Sequence, residues 1–113
     1  MWRCLLLVML LAACAQGPEA DVPSISQARS LGAEWALVNE QANAGKLTAT
    51  YVAAMRKSIR QQLKTCATSL TQPKSAYGDE IAALLAAPDS ASPALLRNHA
   101  DKLKRIEDSL ESD

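Results

Sequence analysis

The chain has 113 residues, room for one domain, and its twelve basic side chains balance twelve acidic ones. That balance excludes nucleic acid as the principal partner, because neutralising phosphates takes a clear basic excess. Ala and Leu dominate, Phe is absent, and the β-branched and aromatic residues that favour strands are scarce, so an all-α fold is expected.

Residues 1–14 read MWRCLLLVMLLAAC. Arg3 and the α-amino group give a positive start, and Cys4 to Leu11 is an uninterrupted apolar run. Small residues follow at once. This is the layout of an export signal. The run is far shorter than the roughly 20 residues that span a bilayer as a helix.

In this segment the chain resembles the bacterial lipoprotein signal family. Its lipobox is Leu, two small residues, then Cys, and Leu11-Ala12-Ala13-Cys14 matches at every position. The resemblance covers residues 1–14 only. It implies that Cys14 carries a diacylglycerol on sulfur and that the bond between Ala13 and Cys14 is cut. The membrane is then a partner through the lipid on Cys14. Stable anchoring takes at least two acyl chains, which this modification supplies. In the enterobacterial sorting rule an Asp after the Cys retains a lipoprotein in the inner membrane. Ala15 therefore implies the outer membrane, on its periplasmic side. The alternatives are an ordinary secretory signal with Cys14 incidental, and an uncleaved hydrophobic anchor.

Removing the signal takes Arg3 with it and leaves the mature side chains at about −1 in sum. Residues 14–23 read as the lipidated N-terminus and a tether, with Gly17, Pro18 and Pro23 and no apolar period. The helical domain is expected over 24–113. Ser24 with Gln27 makes a capping-box pattern. Ile25, Ala28, Leu31, Trp35, Val38 and Ala42 form one apolar stripe, and Gly45 suits the left-handed residue past a helix end. The spacing predicts a helix over 24–44.

Thr48 is a good N-cap for a second helix over 49–71, whose stripe is Val52, Met55, Ile59, Leu63, Cys66 and Leu70. Pro73 stops it. Ser75 opens a third, shorter helix, with Tyr77, Ile81, Leu84 and Leu85 as its apolar face. Gly78 weakens its start, and Pro88 ends it near Ala87. Ser92-Pro93 pairs an N-cap with Pro at the first helical position. A fourth helix then runs over 93–111 with Leu96, His99, Leu103, Ile106 and Leu110 on one side. Asp101 and Arg105 are placed as an i,i+4 pair. Short connections favour antiparallel neighbours. The expected fold is a small antiparallel bundle of four helices, with a three-helix core crossed by the short helix as the alternative.

Few residues suggest chemistry. Cys66 is the one thiol left after processing, and its place on the stripe reads as a core filler, with an intermolecular disulfide or redox site as the alternative. His99 is the only histidine, beside the core stripe, and reads as a hydrogen-bonded boundary residue. No familiar catalytic spacing, zinc spacing or phosphate-binding glycine loop is present. The expectation is therefore no enzyme and no cofactor, with an enzyme or a metal-binding protein as the remote alternative. Arg56, Lys57, Arg60 and Lys64 make a basic stripe on the second helix, the best candidate for an interaction surface. It suits an acidic protein partner or an anionic envelope surface. The chain thus reads as a lipid-anchored helical interaction module. The second reading is a structural lipoprotein that self-associates as a homo-oligomer or touches an envelope polymer.

Overall fold

The computed structural model describes residues 17–112. The expected export signal, the expected lipid on Cys14, the expected cut after Ala13 and the sorting position Ala15 lie outside the described residues. A single 3₁₀ turn, Pro18–Asp21, leads into four helices: α1 (Val22–Asn43), α2 (Ala49–Thr68), α3 (Ala76–Ala86) and α4 (Pro93–Glu111). There is no strand among the described residues.

Sequence-local chemistry sets most of the helix ends. Thr48 accepts from the Tyr51 N–H at 3.2 Å, Ser75 from Gly78 at 3.2 Å and Ser92 from Leu95 at 3.1 Å. Past α1, Gly45 takes φ +72°. Its N–H reaches the Ala42 carbonyl at 3.0 Å, and the Lys46 N–H reaches Gln41 at 3.0 Å, which closes the helix in a Schellman turn.

Two ends differ from the sequence reading. α1 starts at Val22, not at Ser24, and Ser24 caps nothing. Pro23 fits inside the first turn because it needs no N–H partner there. The stretch expected as tether is therefore folded from Pro18 onward, and Asp21 within it is 1% exposed. α2 stops at Thr68, short of residue 71. The Thr71 and Gln72 N–H groups donate to the Asp21 carboxylate at 2.8 and 3.2 Å instead of continuing the helix.

The helices form an antiparallel ring in chain order. α1 packs on α2 and α4, and α3 closes the far side between α2 and α4. α2 and α4 do not approach each other. The pairing of Arg29 with Glu107 and of Glu40 with Arg97 shows α1 and α4 running in opposite directions. Across the middle α1 meets α3 at Gly32, where an added Cβ would lie 3.4 Å from both Ala100 Cβ and a Leu84 methyl.

The predicted stripes converge on the core. Ile25, Ala28, Leu31, Trp35, Ile59, Leu63, Ile81, Leu84, Leu96 and Leu103 are all buried. Burying such side chains contributes about 1.5–3 kcal/mol each for the larger ones. Ala42, Met55, Leu70, Leu85, Ile106 and Leu110 pack at its margin. The expected Asp101–Arg105 pair does not form; Lys104 and Asp108 pair instead, at 3.5 Å. Both alternatives lie on the solvated face of α4, where ion pairs contribute little and either choice is nearly isoenergetic.

Candidate functional site

The basic stripe of α2 divides into two parts. Lys57 and Lys64 are exposed, while Arg56 turns toward Asn39 of α1 and Arg60 toward the loop between α3 and α4. Arg60 is consumed there. Its Nε donates to Asp89 Oδ1 at 2.7 Å, one Nη donates to the Leu85 carbonyl at 2.9 Å, and the other donates to the Ala87 carbonyl. These carbonyls end α3, so the guanidinium caps that helix and meets the negative end of its dipole. The same group lies over the Trp35 ring, 4.8 Å from its centroid. Arg60 is thus a fastener of the fold and not part of a free surface.

Behind it lies a buried polar layer. The Trp35 Nε1–H donates to the Asp89 carbonyl at 3.1 Å. Asn39, 1% exposed, donates from Nδ2 to the carbonyls of Asp89 and Ala91 at 3.0 and 2.8 Å. Its Oδ1 accepts from Arg56 Nε at 3.0 Å. Every polar atom of the Asn39 amide is therefore committed. Its orientation is fixed by two backbone carbonyls, and that orientation fixes Arg56.

The result is a cleft of about 330 Å³ lined by Ala53, Arg56, Lys57, Arg60 and Asp89. Asp89 is neutralised by Arg60, and among the described residues no carboxylate pairs with Arg56 or Lys57. The cleft is net positive. Lys64 stands outside it, two turns further along α2.

A second depression, of about 250 Å³, runs between α1 and α2. Leu37, Leu47, Tyr51 and Met55 line it, and Leu37 and Tyr51 are about half exposed. It is apolar and shallow.

The other candidates are structural. Cys66 is 3% exposed, and burial pushes its thiol above the ordinary range. His99 is mostly buried, and its Nδ1 meets Glu80 Oε1, tying α4 to α3. Among the described residues no three His, Cys, Asp or Glu side chains come together where they could hold a metal ion, and no helix is long and apolar enough to cross a membrane.

Sequence reasoning missed Asn39, Asp89 and Asp21. Asn39 had a signal: a polar amide on an apolar stripe, one turn beyond Trp35. Asp89 lies in the turn after Pro88, and its role depends on Arg60 arriving from a distant helix. Asp21 gave no local cue at all.

No protein-family model, curated protein or solved structure matches the chain. The fold itself defines a small up-and-down four-helix bundle, and its chemistry must be read from its own side chains.

Proposed function

We propose that this chain is a lipid-anchored protein of the bacterial cell envelope, held to the membrane through Cys14, and that it acts as a helical interaction module. The observation that carries the reading is the lipobox Leu11-Ala12-Ala13-Cys14 directly behind a positive start and an apolar run. The folded domain begins at Pro18, so only Ala15, Gln16 and Gly17 separate it from Cys14. Three residues reach about 10 Å at most. A bundle so tethered works at the membrane surface. Ala15 directs it to the outer membrane by the sorting rule that the resemblance carries.

The module has one polar working face, the α2 side bearing Arg56, Lys57 and Lys64. An acidic protein segment or an anionic envelope surface fits it by charge.

Labelling cells with a tagged fatty acid tests the anchor. The chain is expected to carry label and to sediment with membranes, and Cys14→Ala is expected to lose both. Equal labelling of wild type and variant would overturn the reading.

A further inference from the structure

We propose that the cleft between α2 and the α3–α4 loop is a binding site for a phosphoryl oxyanion, with Arg56 and Lys57 as its ligating residues. This deepens the reading above by naming what the α2 face holds. It stands on geometry that is independent of the anchor.

An exposed arginine normally samples many rotamers, and binding an anion must overcome that loss of freedom. Arg56 is held in advance. Its Nε donates to Asn39 Oδ1 at 3.0 Å, and Asn39 is buried and locked by the Asp89 and Ala91 carbonyls. With Nε used, the two Nη groups have no acceptor among the described residues. They form the two-pronged end that matches two oxygens of one phosphoryl group. Lys57 adjoins as a point charge on the same wall.

Arg60 marks the contrast. It lines the same cleft, but its three N–H-bearing nitrogens are committed to Asp89, Leu85 and Ala87. It neutralises Asp89, which would otherwise repel an anion. Two uncompensated positive charges then face a cleft of about 330 Å³, wide enough for a phosphate with its hydration or for the phosphate of a lipid headgroup. A carboxylate would use the same fork but would leave Lys57 less engaged, because phosphate offers a third oxygen.

The test uses the full chain, purified in neutral detergent, with the Arg56 side-chain N–H signals followed by NMR. In one arm inorganic phosphate is titrated against sodium chloride of equal ionic strength. In the other the protein is placed with phosphatidylcholine vesicles, with or without phosphatidylglycerol. Saturable phosphate shifts at Arg56 identify a free phosphoryl ligand. Shifts only with phosphatidylglycerol identify a headgroup. Either supports the site, provided that Lys57→Gln weakens binding by about tenfold at the Arg56 signals and that Arg56→Lys does so at the backbone amides of Ala53, Lys57 and Asp89. Lys57 is exposed, so Lys57→Gln keeps the fold even if the Arg56 variant does not. Shifts no larger than chloride gives in both arms, or variants that bind like wild type, would overturn the proposal. The phosphate arm reads the cleft whatever Cys14 carries, so its failure and the failure of the anchor are separable.

Discussion

The Tyr77 hydroxyl donates to the Asp21 carboxylate at 2.5 Å, joining the turn that precedes α1 to the first turn of α3. Thr71 adds its N–H and its hydroxyl, and Gln72 adds its N–H. Burial alone would raise the Asp21 pKa, but these donors, Tyr77 first among them, outweigh it and hold the carboxyl below its ordinary 3.8.

That balance predicts the acid limb of stability. The folded pKa lies below the unfolded one, so the contribution is complete above about pH 4 and is lost as pH falls through the folded value. Asp21→Asn turns an amide N–H₂ toward donors and is expected to destabilise by about 3 kcal/mol at pH 7. It also flattens the acid limb. Tyr77 is shifted the other way, upward, by burial and then by its bond to Asp21. Its contribution is complete below about pH 10 and is lost as pH rises through the folded value, so Tyr77→Phe removes an alkaline limb. Urea titrations across pH check both signs.

Arg60 and Asn39 hold the same loop from two sides. Arg60→Lys keeps the charge but loses the fork and the stacking on Trp35, and is expected to lower stability by about 2 kcal/mol. Asn39→Ala strips a donor from the buried Ala91 carbonyl, at a similar cost of about 2 kcal/mol. The double variant should fall short of the sum, because once the loop is released the second fastener has less to hold. Trp35 fluorescence in a urea double-mutant cycle reads this.

The two glycines inside helices are expected to respond in opposite ways. A Cβ on Gly78 would sit 2.2 Å from the Pro73 carbonyl oxygen, so the backbone must move. Gly78→Ala is expected to lower stability by about 3 kcal/mol. At Gly32 the nearest atoms would be 3.4 Å away, an ordinary contact. Gly32→Ala is expected to be neutral or to stabilise by up to about 1 kcal/mol through helix propensity. Thermal melts of the pair separate the effects.

Cys66 should resist a thiol reagent in the folded protein and react at the unfolded-state rate in denaturant. Burial both blocks access and disfavours the thiolate. Timed alkylation with mass readout measures the ratio.

The helices and their core faces were legible because periodicity and caps are local. Thr48, Ser75 and Ser92 all cap as their spacing implies. The two helix ends that failed have separate causes: beyond Thr68, Asp21 takes amides from a segment fifty residues away, while at Ser24 the first turn admits Pro23 and so begins at Val22. The candidate site was half legible. Composition and spacing placed Arg56, Lys57, Arg60 and Lys64 on α2. Which of them stays free depends on Asn39 and on the α3–α4 loop, and no local pattern carries that.

The proposed place of this bundle at the membrane depends on the acylated N-terminus. Intact-mass measurement of the protein purified from bacterial membranes tests it most directly. A chain beginning at Cys14 with a diacylglyceryl group on its sulfur is the predicted result. A chain that still begins at Met1, or one with a free sulfur at Cys14, would contradict it.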